Sequence, residues 1–316
     1  MALPYTVEPL EDRLAFGAKV VGLKLEHLAQ EEVRKALTDL WINKGVILFR
    51  GGDSSRQMQV ELSRVFGTPE VFPFKESRSE ELPELVNIKY SRADGTSYKI
   101  NGEEIGGWIP WHSDMAYFSK INRGGILRPN ILPKNGRGET GYADQISAYD
   151  RLPNVLKEKI ENLNVVYTAD LNYAHAKYAG DTKIEFVQGA KSWTNIMERI
   201  YNYPRVLHPM VYTQPGTGRK VLNVSPGFAD GIYEMGGPAG DALLAEVISY
   251  CIDPKETYFH QWQPDDMVLW DNWRTLHCAA GIDPDDTRLM ERTTIHGDYS
   301  MGRDLDGSAA MTRFDA

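Results

Sequence analysis

The chain has little cysteine: Cys251 and Cys278 are the only two among 316 residues. Two thiols in so long a chain read as reduced usage, so no disulfide framework is expected and the expected compartment is the cytoplasm. No stretch approaches the ~18 apolar residues of a membrane span. Met1 to Gly17 carries acidic side chains and no apolar run, so no secretory leader is expected there. Positive charge is in deficit, with 35 Lys and Arg against 44 Asp and Glu, a net −9. That balance argues against non-specific nucleic-acid binding and against polybasic membrane contact. It leaves room for a small anion, because one local arginine can outweigh the global field. Repeats and low-complexity segments are lacking as well. What remains is an ordinary globular composition, 42% hydrophobic and 25% charged, long enough for one large domain or two small ones.

Histidine is also scarce, at seven residues, and three positions stand out: His112 and Asp114, then His277 far downstream, followed eleven residues later by Arg288. Two imidazoles and one carboxylate make a three-point face on a metal and leave other coordination positions open, the ligand set of non-haem iron(II) oxygenases. A His-x-Asp by itself is weak, since composition alone yields one in about every second chain of this kind. A second, His296 and Asp298, has little chain after it to supply a third ligand and reads as structural. His112-Ser113-Asp114 lies in the aromatic run Trp108 to Phe118, and alternation would put His112 and Asp114 on one face of an extended strand. Cys278 adjoins His277, so it would face away as a packed thiol.

Strand and helix signals alternate at the start. Ala18 to Leu25 is short and apolar. Gln30 to Asn43 carries Val33, Leu37, Leu40 and Trp41 at helical spacing, and Gly45 to Phe49 reads as a buried strand. Ser54 or Ser55 could cap a helix through Phe66. Later helices are expected at Ser147 to Leu163 and Pro238 to Tyr250. Short strands are expected at Val206 to Tyr212, Lys220 to Val224, Met267 to Trp270 and Arg288 to Ile295. Many short strands with a few helices point to an α+β protein with a mostly β core, a two-sheet jelly roll with flanking helices. Ser91 to Gly107 and Asp170 to Pro204 are long, irregular segments, read either as lids or as plain surface insertions. The tail from about Ser300 is expected to lie outside the core.

Around the last histidine the sequence runs Trp270-Asp271-Asn272-Trp273-Arg274-Thr275-Leu276-His277, then Arg288-Leu289-Met290-Glu291-Arg292-Thr293-Thr294. Here it resembles the taurine dioxygenase and 2,4-dichlorophenoxyacetate dioxygenase family of iron(II)/2-oxoglutarate enzymes. Gly138-Glu139-Thr140 with Ala148-Tyr149-Asp150-Arg151-Leu152-Pro153 resembles that family's "GGDT…aYdaL" segment. His208-Pro209 with Pro215-Gly216-Thr217-Gly218-Arg219 resembles its "HP…P-x-tGR" turn. The motifs keep the family's order over most of residues 5 to 298. The resemblance implies a double-stranded β-helix as one domain over residues 1–316, in which the segments near 91–107 and 170–204 would be the lid candidates. It implies iron(II) on His112, Asp114 and His277, the distal carboxylate of 2-oxoglutarate on Thr140 and Arg288, and an acidic substrate group on Arg292. It also implies a homo-oligomer, as relatives commonly are, with a small-molecule substrate as the other partner. Physical chemistry points the same way: a guanidinium fork and a hydroxyl suit a carboxylate. On a strand Arg288 and Arg292 share a face about 13 Å apart, room for a co-substrate and a substrate.

The resemblance departs from the taurine enzymes where taurine is recognised. Phe72 aligns with their sulfonate-binding histidine, and Trp108 with an asparagine near the amine. Aromatic rings thus stand where taurine would need buried hydrogen-bond partners, which weighs against taurine. Phe72, Trp108, Met115, Tyr117, Phe118, Trp193 and Phe228 could line an apolar pocket for an aromatic or bulky organic acid. Each of these aromatics alone also fits ordinary packing. The expected reaction is hydroxylation of an unactivated C–H with O2, releasing succinate and CO2; desaturation or another oxidative rearrangement is the alternative. Two further readings stay open at this point: a zinc or manganese hydrolase or isomerase on the same triad, and a catalytically silent scaffold. His175 in the suspected lid could touch substrate. His208 reads as a strand-end residue, and His27 and His260 carry no assignable role. Trp270, Asp271 and Asn272 would support the ligand turn.

Overall fold

A computed structural model describes residues 3–71, 78–79, 81–179, 182–191, 196–197, 203–299 and 301–305. The first elements are β1 (Thr6–Pro9), β2 (Ala18–Val21), α1 (Glu31–Lys44), β3 (Val46–Arg50) and α2 (Arg56–Phe66). Then come β4 (Leu85–Tyr90), β5 (Ser97–Ile100), β6 (Glu103–Gly106), β7 (Ile109–His112), β8 (Gly124–Ile131) and β9 (Thr140–Asp144). The middle holds α3 (Gln145–Arg151), α4 (Asn154–Ile160), β10 (Asn164–Tyr167), β11 (Ile184–Gln188), β12 (Val206–Pro209), β13 (Val211–Thr213), β14 (Lys220–Leu222) and β15 (Ala229–Ile232). The chain continues through α5 (Gly237–Cys251), β16 (Thr257–His260), β17 (Met267–Asp271), β18 (Thr275–Ala279), β19 (Arg288–Ile295) and β20 (Arg303–Asp304).

Two sheets matter for the site. The larger has seven strands in the order β1-β2-β3-β17-β8-β19-β4, and the smaller four, β16-β9-β18-β7. Pairing is antiparallel except between β2 and β3. Side-chain alternation explains why β3 and β17 read as continuous apolar runs. Ile47, Phe49, Met267 and Leu269 pack outward against Val33, Leu37 and Trp41 of α1 and Met58 and Leu62 of α2. Val46, Leu48, Val268 and Trp270 pack inward, with Tyr142 of the smaller sheet. A strand covered on both faces needs apolar residues at every position. Each such side chain contributes about 1.5–3 kcal/mol on burial. The back of the smaller sheet is covered in turn. Ala143 and Leu276 join a cluster with Leu156 of α4 and Leu244 and Val247 of α5.

Helix α2 is capped as the sequence suggests, with Ser55 Oγ accepting from Met58 N at 3.1 Å. The helix expected over Ser147 to Leu163 is two helices. Pro153 disfavours helical backbone at Leu152, which sits extended at ψ 139° and ends α3. The strand expected over Ala18 to Leu25 stops at Val21, and Leu25–Ala29 forms a 3₁₀ turn. Near the C-terminus β20 pairs with β12, and Tyr299 is buried between Tyr212 and Trp273; residues 306–316 of the expected tail lie outside the described residues. Described strands fall within both suspected lid segments. Strands β5 and β6 of the first and β11 of the second form one three-stranded sheet. Among the described residues no helix is long and apolar enough to cross a membrane.

Candidate active site

Strands β7 and β18 pair so that His112 and His277 stand directly opposite each other. Their ring centroids are 4.2 Å apart. Asp114 Oδ1 lies 3.6 Å from His112 Nε2 and 3.7 Å from His277 Nε2. An ion about 2.1 Å from each donor would hold neighbouring donors about 3 Å apart, so small side-chain rotations close this triangle. It is the one cluster of metal-competent His, Cys, Asp or Glu groups among the described residues. His296 joins no such group; its Nδ1 faces Glu70 Oε1 at 3.2 Å.

The aspartate does not reach the site by strand alternation. Strand β7 ends at His112, and Asp114 belongs to the turn that follows. Asn272 holds that turn from both sides: its Oδ1 accepts from Asp114 N at 2.8 Å, and its Nδ2 donates to Asp114 O at 2.9 Å. Ser225 Oγ accepts from Ser113 N at 2.9 Å. Met115 takes a left-handed φ of 59°, which costs a non-glycine residue about 1–3 kcal/mol and persists only where its surroundings enforce it. His112 Nδ1–H donates to Pro110 O at 2.8 Å, turning the Nε2 lone pair inward. Trp270 packs against the His277 ring at 5.0 Å. Asp271 pairs with Arg123, whose guanidinium lies between Trp41 and Trp273.

Electrostatics prepare the triad for a cation. Burial opposes charge on Asp114, but Arg292 and the two imidazoles outweigh it and hold the carboxyl well below its usual range. Burial, then the neighbouring His112, pushes His277 down to about 3 against the pull of Asp114, so its imidazole is neutral at physiological pH.

One strand supplies both arginines. Arg288 and Arg292 of β19 face the same chamber of about 230 Å³ as the triad. Arg288 Nε and Nη2 are buried without a hydrogen-bond partner. Burial pushes its guanidinium down to about 10, partly opposed by Tyr142, so it remains a cation at neutral pH. A buried cation with unspent donors fits an anion. Thr140, at the start of β9, lines the same chamber and is 4% exposed. Arg292 is engaged already: its Nη1 donates to Asp114 Oδ2 at 3.0 Å, on the oxygen not shared by the imidazoles. The back of β19 is pinned by fully buried Glu291, which pairs with Arg56 at 2.6 Å and Arg128 at 3.0 Å.

Met115, Tyr117 and Phe228 line the triad's chamber. Trp108 does not; it lines an adjoining chamber of about 230 Å³ and meets Tyr173 and Tyr98 edge-on. The two chambers share Ile88, Ile109, Leu171, Tyr173, Ala279 and Arg288. Phe72 and Trp193 lie outside the described residues. His175 turns away from the site as an exposed partner of Asp170 at 2.7 Å. His208 is buried, with Nε2–H donating to Phe118 O at 2.8 Å, and burial pushes it down to about 4. Burial pushes the Cys278 thiol up to about 12, partly opposed by a backbone hydrogen bond with Gly141. Sequence reading missed Leu171 and Tyr173, which line the triad's chamber. The signal was Asn172, whose Oδ1 accepts from Ala174 N and starts a 3₁₀ turn through His175.

Two imidazoles, a carboxylate and a buried unpaired guanidinium fit a divalent cation together with a chelating dicarboxylate. Comparison with known proteins agrees. Residues 6–294 match the taurine catabolism dioxygenase TauD, TfdA family. The chain is 29% identical over 304 residues to the (S)-phenoxypropionate/alpha-ketoglutarate-dioxygenase of Sphingobium herbicidovorans, covering 94% of this chain and 97% of that one. It is 30% identical over 292 residues to the alpha-ketoglutarate-dependent 2,4-dichlorophenoxyacetate dioxygenase of a Burkholderia species, covering 89% and 92%. The fold matches a crystal structure of AAD-2 in complex with Mn(II) and N-oxalylglycine at a TM-score of 0.68 and 23% identity, over 93% of this chain and 97% of that one. The chain therefore belongs to the TauD/TfdA family and is an Fe(II)- and 2-oxoglutarate-dependent dioxygenase.

Proposed function

We propose that this enzyme hydroxylates an unactivated C–H bond of a small organic acid carrying an aromatic or otherwise bulky group, with release of succinate and CO2. The observation that carries this reading is β19: two arginines on one face of one strand, both turned into an apolar chamber that also holds the triad. In this reading His112, Asp114 and His277 hold iron(II), and Arg288 and Thr140 hold the distal carboxylate of 2-oxoglutarate. Arg292 offers its remaining donors to the substrate's acid group while keeping one on Asp114. Met115, Tyr117, Phe228 and Tyr173 wall the substrate, and Trp108 extends that wall into the adjoining chamber. The relatives that act on phenoxypropionate and 2,4-dichlorophenoxyacetate support an aryloxyalkanoate or similar acid. The two facing sheets are read as halves of a double-stranded β-helix in a single domain, with the site between them.

Iron(II) bound there supplies the activation of O2, coupled to decarboxylation of 2-oxoglutarate. The chain's own task is placement. Asn272 fixes the turn that presents Asp114, and Arg292 holds its second oxygen. Arg288 neutralises the co-substrate's far end, where a charge-assisted hydrogen bond contributes about 1.5–3 kcal/mol. Tyr173, carried by the lid, shields the reacting C–H from water.

The test is a panel of aryloxyalkanoates, aromatic and alicyclic carboxylates, and taurine, each assayed with Fe(II), 2-oxoglutarate and O2. Acid-dependent succinate and a product gaining one oxygen atom are expected; loss of two hydrogens would assign desaturation instead. Taurine as the preferred substrate would contradict the proposal. Arg292→Leu should abolish the preference for an acid over its methyl ester, and an unchanged preference would remove Arg292 from substrate recognition.

A further inference from the structure

Thr140 is held from behind by a tryptophan. Trp262 Nε1 donates to Thr140 Oγ1 at 3.0 Å. An indole N–H only donates, so this bond occupies a lone pair of the hydroxyl and leaves the hydroxyl proton unspent. Among the described residues no acceptor takes that proton, and Thr140 lines the triad's chamber beside Arg288. Trp262 is itself fixed. Its ring meets His260 edge-on, with centroids 4.5 Å apart at 87°. His260 is buried between the Tyr258 hydroxyl at 2.8 Å and Asp266 at 3.0 Å. Arg50 grips Asp266 through two hydrogen bonds of 2.7 Å. The indole's place is thus set by a polar chain anchored at the rim of the larger sheet.

We propose that Trp262 is a positioning residue for 2-oxoglutarate: by donating to Thr140 Oγ1 it occupies one lone pair of that hydroxyl and favours the rotamer that aims the proton, with Arg288, at the co-substrate's distal carboxylate. The inference rests on the reading that Thr140 and Arg288 bind that carboxylate. Without the indole N–H the hydroxyl can rotate and present a lone pair to the anion. With it, the hydroxyl presents its proton beside the Arg288 donors, which suits a carboxylate and disfavours a co-substrate whose far end is itself a donor.

The test is calorimetric titration of 2-oxoglutarate into the Mn(II)-loaded enzyme, comparing wild type, Trp262→Phe, Thr140→Val and the double variant. Trp262→Phe should weaken 2-oxoglutarate by roughly three- to tenfold, the loss of about one hydrogen bond, with Mn(II) affinity unchanged. In the Thr140→Val background Trp262→Phe should add nothing, because the indole acts only through that hydroxyl. Equal weakening in both backgrounds, or none in either, overturns the inference while the carboxylate site stands. An unchanged affinity in Thr140→Val overturns the underlying reading instead. Trp262→His keeps a ring N–H and should bind more tightly than Trp262→Phe; equal weakness of the two also counts against the inference.

Discussion

Asn272 shows how much of a metal site lies outside its ligands. It makes no contact with the cation's position, yet it bonds both backbone groups of Asp114 and also Asn122. It holds the turn in which Met115 is forced to positive φ. Asn272→Ala should therefore weaken Mn(II) or Fe(II) by about 10–100-fold, as loss of outer support does elsewhere. Calorimetric metal titration measures it, and unchanged affinity would mean that the turn holds itself. At this scale the sequence was informative about residue types and poor on their conformation. His112, Asp114 and His277 were legible because few side chains bind metal and the motifs flanked them. That Asp114 leaves the strand was not legible, since Asn272 reaches it across 158 positions. The Arg292 contact with Asp114 was hidden for the same reason: spacing along β19 places both arginines on one face but does not say which group each meets.

Elements were legible where burial made their pattern two-sided or strongly periodic. Strand β3, helices α1 and α2, and β19 fall within a residue or two of the bounds their sequences suggest. The helix broken at Pro153 was readable in principle, because proline restricts the residue before it, but the apolar spacing on both sides masked the break. The three-stranded sheet of β5, β6 and β11 was the least legible part. Its strands are short and mostly not buried, and β11 joins β5 from a segment more than eighty residues away. Tyr98 ties the two parts together: its hydroxyl accepts from Tyr173 N at 3.2 Å and donates to Leu171 O at 3.3 Å. Tyr98→Phe removes both bonds and leaves the ring in place. It should lower stability by about 1 kcal/mol. It should also raise the fraction of 2-oxoglutarate consumed without product, because Tyr173 then covers the site less firmly. Tightly coupled turnover in Tyr98→Phe would deny that this tether matters to the lid.

Across the whole molecule, charge and ligand occupancy set stability. Asp266 is pushed down to about 2: burial opposes its charge, but Arg50, His260 and the Gln263 amide outweigh it. Because its folded pKa is depressed, its contribution is present above about pH 4 and is lost as pH falls from there through about 2. Asp266→Asn should cost stability at neutral pH and much less at pH 2, as read from urea midpoints across that window. A constant difference would contradict the ion pair as its source. Arg288 is a buried cation whose Nε and Nη2 have no hydrogen-bond partner among the described residues, so binding at its site should stabilise the fold. With Mn(II) and N-oxalylglycine at about a hundred times Kd, stability should rise by about 2.7 kcal/mol. Arg288→Met should abolish the share that depends on the acid. The overall architecture was legible as many short strands with few helices, whereas the facing of the two sheets follows from pairings far apart in sequence, such as β18 between β9 and β7. The most direct test of the metal and co-substrate site is a crystal structure of the enzyme grown with Mn(II) and N-oxalylglycine. One metal ion is predicted on His112 Nε2, Asp114 Oδ1 and His277 Nε2, with the analogue's distal carboxylate on Arg288 and Thr140; a metal bound elsewhere, or that carboxylate held by Arg292 with Arg288 still unpaired, would contradict it.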